Sequence, residues 1–170
     1  MALLTDELSA WIGREIHYPA REPLGRASIR YFALAVGDEN PLYFDENAAR
    51  EAGYRDIVAP PTFVVESCQY AHRAPDEDGY IGHEWRLPLE NCRLIRAGNE
   101  YEFMQPVHPD DEVSVTFKLE SIEERTRSRG GSQLFVTSLG TYVNQRGEVL
   151  ATNREVTVIQ PLASNDGAQS

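Results

Sequence analysis

The second half of the chain alternates apolar and polar residues in long runs, and this pattern constrains the fold more than any other feature. Apolar residues occupy every second position from Val113 to Leu119, which places them on one face of a strand. A second long strand is predicted over residues 134–143. The segment 144–147 ends in glycine and is typical of a hairpin turn before a return strand over 148–159. The pattern therefore predicts antiparallel strands with one face buried.

Helical periodicity dominates the first half of the chain instead. Thr5 is an N-cap candidate for a short helix over residues 5–12, and Ser28 is expected to cap a second, amphipathic helix. That second helix should end at Gly37, because glycine best tolerates a left-handed C-cap. Pro41 prevents its continuation, so a turn is expected just past the helix.

Two further helices are expected before the strands. A short one covers residues 46–52. Another begins around Thr62 and carries apolar and small residues on one face, which predicts a buried, central position. The stretches around Tyr18 and over residues 74–98 show little periodicity, and a loop as long as the latter often carries function. Strand character begins at Glu100, so helices followed by antiparallel strands predict an α+β fold class.

Length and composition indicate a single domain. A chain of 170 residues with 41% apolar content can bury one sizeable core, so we expect one domain over residues 1–160 and a disordered tail over 161–170. It contains no run of about 18 apolar residues that could span a bilayer, and its N-terminus lacks the pattern of a secretion signal. A cytoplasmic location is therefore expected, with Cys68 and Cys92 as reduced thiols.

Three short segments carry a family signature. Residues 37–42 read Gly-Asp-Glu-Asn-Pro-Leu, residues 57–63 read Ile-Val-Ala-Pro-Pro-Thr-Phe, and residues 97–107 read Ala-Gly-Asn-Glu-Tyr-Glu-Phe-Met-Gln-Pro-Val. They resemble the MaoC-like (R)-specific enoyl-thioester hydratases and 3-hydroxyacyl-thioester dehydratases, in particular the N-terminal-type dehydratase subunits. The resemblance extends over residues 5–160. It implies a hot-dog fold, in which a curved antiparallel sheet wraps a long central helix.

The resemblance also implies a catalytic pair that this chain carries only in part. It assigns Asp38 as the catalytic acid or base and Asn40 as the residue that orients water or the thioester. The family usually has histidine where Tyr43 stands. A tyrosine with a pKa of about 10 can donate a hydrogen bond but is a poor base at neutral pH. From the local residues alone, Asp38, Asn40 and Pro41 can also be read as an Asx-Pro turn that ends a helix.

The start of the central helix completes the predicted site. Hydration of a 2-enoyl thioester needs a base, an acid and hydrogen-bond donors on the thioester oxygen. Free N–H groups from Thr62 onward, at the positive end of the helix, can supply such donors, whereas Pro60 has no N–H. The residues expected to bind the substrate are Tyr43, Pro61, Thr62 and Phe63. No metal or other cofactor is expected.

The missing histidine shapes the predicted function. Some MaoC-like dehydratases combine two different hot-dog subunits, one holding the Asp and His pair and the other shaping the acyl pocket. The resemblance therefore predicts a subunit of such a dehydratase or hydratase, acting on an acyl-CoA or acyl-carrier-protein thioester. Its partner would be a second hot-dog subunit that supplies the histidine, or a second copy of the chain. Two alternatives stay open: a non-catalytic acyl-binding or scaffolding subunit, and a thioesterase that uses Glu66.

Charge further limits the partners. The net charge of −11 disfavours nucleic acid. An acyl-CoA is also anionic, so receiving it needs a local basic patch. The candidates are one cluster of Arg86, Arg93 and Arg96 and a second cluster of Arg125, Arg127 and Arg129. The four histidines, His17, His72, His83 and His108, are interpreted as surface residues.

Overall fold

A computed structural model describes residues 2–20, 23–69, 85–128 and 130–162. Four α-helices precede the long strands. Their bounds are Asp6–Ser9 (α1), Gly25–Val36 (α2), Glu46–Glu51 (α3) and Phe63–Gln69 (α4). A 3₁₀ turn, Pro41–Tyr43, links α2 to α3. The central helix was predicted to begin around Thr62, and it begins one residue later. Its continuation past residue 69 lies outside the described residues.

Five antiparallel strands form one sheet in the order β1-β3-β4-β5-β2. The strands are Glu15–Pro19 (β1), Cys92–Phe103 (β2), Ser114–Thr126 (β3), Ser132–Val143 (β4) and Val149–Pro161 (β5). The predicted hairpin is confirmed, since β4 and β5 pair along their whole length across the turn that ends in Gly147. Helices followed by an antiparallel sheet confirm the α+β class.

The boundaries of α2 agree with prediction at one end only. Gly37 is left-handed at φ 72° and caps the C-terminus, as expected. Ser28 is not the N-cap, because the helix already begins at Gly25 and its N-cap residue, Leu24, makes no side-chain cap hydrogen bond. The N–H of Gly25 instead donates to the carbonyl of Pro109, at 3.0 Å. A tertiary contact therefore replaces the predicted local cap.

Two segments predicted to be irregular are strands. The stretch around Tyr18 forms β1, which pairs with β3 and places Tyr18 opposite Val115. Residues 92–98, expected to belong to a long loop, are the first half of β2 and pair with β5. Residues 74–84 of that predicted loop lie outside the described part of the chain. Strand β2 forms one edge of the sheet, and its side chains are almost all exposed.

The core lies between the helices and one face of the sheet. Val64, Val65 and Cys68 of α4 are buried in it, and α4 lies against β5. Both cysteines are free thiols, as predicted. Among the residues that the structure describes, no helix is long and apolar enough to cross a membrane.

Candidate active site

The turn after α2 holds the two residues predicted to be catalytic. Asp38 Oδ1 accepts a hydrogen bond from the N–H of Asn40 at 3.1 Å, and Asn40 Oδ1 accepts one from the N–H of Leu42 at 3.1 Å. These are the bonds of an Asx turn, and Asn40 also caps the 3₁₀ turn. The Asx turn that the local sequence predicted is therefore present, but its hydrogen bonds use only one oxygen of each side chain. The second Asp38 oxygen and the Asn40 amide N–H₂ are not used by these bonds.

Tyr43 is buried directly beside this turn, with 7% of its surface exposed. Burial raises the pKa of Tyr43, and the negative charge and hydrogen bonding of Asp38 raise that pKa further, while hydrogen bonding to Asn40 opposes the shift. The structure thus brings Asp38, Asn40 and Tyr43 together, as the sequence predicts. Because its pKa is raised, the Tyr43 hydroxyl keeps its proton at neutral pH and can act as a donor but not as a base.

Tyr43 forms part of the wall of a cleft of about 280 Å³. Pro61 and Val64, from the start of the α4 region, form another part, and Phe103 of β2 lies on the far side with Tyr54. The lining is mostly apolar, with tyrosines as polar groups, which is the usual composition of a small-molecule site. An acyl group can therefore be buried here beside the Tyr43 hydroxyl.

Two predicted substrate-binding residues lie outside this lining. Thr62 is exposed. Phe63 is buried against Phe32, with ring centroids 5.2 Å apart. The N–H of Phe63 donates to the carbonyl of Pro60 at 2.9 Å, so it is not available to a thioester oxygen. Within the described residues the N–H groups of Thr62 and Val64 have no hydrogen-bond partner, which leaves these two as the available donors.

Backbone hydrogen bonds fix the walls of the cleft. The N–H of Val58 donates to the carbonyl of Leu42 at 3.0 Å, which ties the Tyr43 turn to the segment before α4. The N–H of Ala59 donates to the carbonyl of Val107 at 2.8 Å, which ties that segment to the chain after β2. The three segments that resemble the family are therefore held around one cleft.

The histidine interpretation needs one correction. His108 was expected at the surface, but it is buried, and its Nδ1 lies 3.1 Å from the carbonyl oxygen of Ile57. The sequence signal that could have shown this is the acid three residues later, because the buried Asp111 accepts a hydrogen bond from the His108 N–H at 2.8 Å. His17 is exposed and lies beside Thr116. His72 and His83 lie outside the described residues.

Glu66, the acid of the thioesterase alternative, is half-buried on α4 and is not part of the described lining of the cleft. Its charge contributes to raising the pKa of Tyr101 on β2, after the larger effect of burial. The carboxylate is therefore close enough to Tyr101, on the edge strand β2, to act on that hydroxyl.

Three arginines of the predicted basic clusters are engaged within the chain. Arg96 forms an ion pair with Glu155, and Arg93 donates to Gln160. Arg125 forms an ion pair with Glu123, and residue 129 lies outside the described part. Among the described residues, no group of three or more His, Cys, Asp or Glu side chains could hold a metal ion.

Comparisons with known proteins identify the family of the chain. Residues 10–153 match the family described as FAS1-like, dehydratase domain region. A probable enoyl-CoA hydratase alpha subunit from Thermomonospora curvata is 36% identical over 155 residues, which cover 86% of this chain and 49% of that protein. This chain therefore spans about half the length of that relative.

Two solved structures share the fold. One is the HadBC complex of Mycobacterium tuberculosis, a 3R-hydroxyacyl-ACP dehydratase, with a TM-score of 0.67 and 25% identity over 88% of this chain and 97% of that chain. The other is a MaoC-like dehydratase from Rhodospirillum rubrum, with a TM-score of 0.63 and 25% identity over 89% of this chain and 94% of that chain. They confirm the hot-dog fold. The chain belongs to the MaoC-like hot-dog dehydratases and, within them, to the FAS1-like dehydratase domain family.

Proposed function

We propose that the chain is a subunit of a 3-hydroxyacyl-thioester dehydratase, or of the (R)-specific enoyl-thioester hydratase that runs the reverse reaction. The observation that carries this proposal is the buried Tyr43 beside Asp38 at the wall of an apolar cleft. The chain retains Asp38 of the family motif. Where the family usually has histidine, it carries Tyr43, which can donate a hydrogen bond but cannot act as a base. A site of this kind can bind and polarise a thioester but lacks one of the two proton-transfer groups.

Each group has a role in the proposed reaction. In hydration, water adds to the β-carbon and loses a proton, while the α-carbon gains one. The Asp38 carboxylate can accept or return a proton, and the protonated Tyr43 hydroxyl can donate a hydrogen bond to the thioester oxygen. The second proton-transfer group would be a histidine of a second hot-dog subunit.

The comparisons support the heteromeric form of the proposal. The Thermomonospora curvata relative is named an alpha subunit, and the solved HadBC dehydratase is a complex. The acyl carrier could be CoA or a carrier protein, and both present the same thioester to the cleft. A homodimer is the competing arrangement, and it would leave both copies without the histidine.

The test is a hydration assay with crotonyl-CoA and longer enoyl-CoAs, which follows enoyl absorbance and free thiol together. We expect the chain alone to be silent, and so should a partner hot-dog subunit that carries the family histidine, whereas the mixture of the two should lose absorbance without releasing thiol. Asp38→Asn in that mixture should reduce the rate at least about a hundredfold, the scale of a lost acid or base. Glu39→Gln, a neighbouring exposed acid, is the matched control and should change nothing.

Other outcomes favour the alternatives. An Asp38→Asn mixture with full activity would favour a non-catalytic acyl-binding or scaffolding subunit, which the retained proton on Tyr43 makes the second candidate. Release of thiol that Glu66→Gln abolishes would favour a thioesterase. Hydration by the chain alone would show that no partner histidine is needed.

A further inference from the structure

A second pocket lies at the opposite end of β5 from the Tyr43 cleft. It has a volume of about 80 Å³, and its apolar walls include Trp85, Leu94, Val136 and Ile159. It shares no described lining residue with the cleft. Leu150 lines the cleft and Glu155 lines the pocket, so the two sites are about 16 Å apart along the strand, at a rise of about 3.3 Å per residue.

Arg86, Glu155 and Thr157 add polar groups to the lining, and Glu155 is the carboxylate among them. Glu155 is only 5% exposed, and its Oε2 lies 3.5 Å from a guanidinium nitrogen of Arg96. Burial raises the pKa of this carboxyl, and the Arg96 charge only partly offsets the shift. A hydrogen-bond donor that enters the pocket can therefore offset part of the cost of burying this carboxylate.

Two polar atoms on this side of the sheet are buried without a hydrogen-bond partner in the described structure. Asn153 precedes Glu155 by two residues on β5 and therefore points to the same face. Its Oδ1 is buried without a hydrogen-bond partner in the described structure, as is the hydroxyl of Tyr142 on β4. Native interiors contain few such atoms. Neither residue belongs to the described lining of the pocket, but both place unsatisfied polar atoms on the face of the sheet that carries Glu155.

We propose that this pocket is a second ligand site, which binds a small apolar group that carries a hydroxyl, with Glu155 accepting the hydroxyl hydrogen bond. The volume is about half that of a 150 Å³ cavity that holds benzene, so the bound group has about three to five non-hydrogen atoms. Such a group can be a free short-chain alcohol or the hydroxylated end of a longer molecule. Neither the cleft nor the partner subunit is required for binding.

The test uses two isomers of the same size, 1-butanol and diethyl ether, of which only the alcohol has a donor. The reporter is the indole N–H of Trp85, which lines the pocket and donates to the hydroxyl of Ser138 at 2.6 Å. In NMR titrations at pH 8, which favours the ionised carboxylate, butanol should shift this signal with saturation. Ether should bind at least about tenfold more weakly, the scale of a hydrogen bond to a charged group.

Two variants distinguish the contribution of the Glu155 carboxylate from that of the pocket volume. Glu155→Leu should remove the advantage of butanol over ether, and Val136→Phe should fill the pocket and abolish both titrations. Val156→Phe is the matched control, because Val156 neighbours Glu155 in the chain but points to the opposite face of β5. Unchanged backbone amide signals away from the pocket in the free variants show that they fold. Equal binding of the two isomers to the native chain, or no saturable shift, overturns the proposal.

A competition experiment identifies the source of the hydroxyl. Displacement of butanol by an ω-hydroxyacyl-CoA, but not by the acyl-CoA of equal length, assigns the pocket to the far end of a substrate chain. No displacement by either assigns it to a free molecule. Both results are consistent with a hydroxyl-binding site. Neither depends on hydration activity, so a failure of the proposed dehydratase function would be detected separately.

Discussion

The Asp38 carboxylate lies beside the Tyr43 hydroxyl. Burial and this carboxylate both raise the pKa of Tyr43, so the hydroxyl keeps its proton. A histidine at the same place would exchange protons near neutral pH, whereas this tyrosine cannot. The pair is therefore an acceptor next to a fixed donor. It can orient and polarise a bound thioester, and it leaves the remaining proton transfer to another group.

Replacing the donor should affect the reaction rate more than binding. Tyr43→Phe keeps the ring that lines the cleft but removes the hydroxyl, so kcat of the two-subunit mixture should fall about a hundredfold, as for other lost oxyanion donors. Tyr54→Phe is the matched control in the same cleft and should stay near the native rate. An unchanged kcat in Tyr43→Phe would contradict the donor role. Tyr43→His should give the chain alone measurable hydration activity.

A single methyl group on β4 should destabilise the fold. A Cβ at Gly140 would lie 2.9 Å from a ring carbon of Phe117, and that ring is held by contacts with Tyr18 and Tyr142. Gly140→Ala should therefore lower the free energy of unfolding by about 1–3 kcal/mol in urea titrations. Gly98→Ala, where a Cβ meets nothing within 4 Å, should stay within about 0.5 kcal/mol. Equal effects would show that the Phe117 ring can move.

Two adjacent acids should differ strongly in their contribution to stability. The Asp111 side chain is fully buried and accepts hydrogen bonds from Arg146 at 2.9 Å and from the His108 N–H at 2.8 Å. Asp110 is mostly exposed and pairs with Arg55. Asp111→Asn should cost about 3 kcal/mol of unfolding free energy, whereas Asp110→Asn should cost less than about 1 kcal/mol. Thermal and urea unfolding of both variants measures the difference.

Cys68 should make the native state sensitive to alkali. Burial raises the pKa of the Cys68 thiol from 9.0 to about 12. The unfolded chain therefore loses this proton first, so the stabilising effect is complete below pH 9 and is lost as the pH rises toward 12. By pH 10 the loss should reach about 1.4 kcal/mol. Cys68→Ala should show a shallower decline between pH 9 and pH 10 than the native chain does, whereas Cys92→Ala should not.

The parts of the fold that the sequence predicted are those in which local chemistry decides the structure. The alternation from Val113 onward produced β3, and the left-handed glycine at position 37 ended α2. The start of α2 could not be read locally, because the cap is the carbonyl of Pro109, far along the chain. Strand β1 has only five residues and exists through its pairing with β3.

The first part of strand β2, before Glu100, escaped prediction for a different reason. Alternation appears in a sequence when one face of a strand is buried within its own chain, and almost no side chain of β2 is buried. The candidate site also contains features that local sequence predicts and features that it does not. Asp38, Asn40 and Tyr43 follow from the motif, whereas the hydrogen bond that occupies the Phe63 N–H and the burial of His108 depend on contacts between distant segments.

The exposed edge of β2 also affects how much of the chain reaches its native state in a cell. Among the strands that the structure describes, β2 pairs only with β5, and over its twelve residues it presents Leu94, Ile95 and Phe103 to solvent. Such an edge accepts any free strand, including that of another newly synthesised copy. We therefore expect the yield of native protein to depend on how soon after synthesis a second subunit covers this edge. The supply of that subunit would then limit the amount of folded protein.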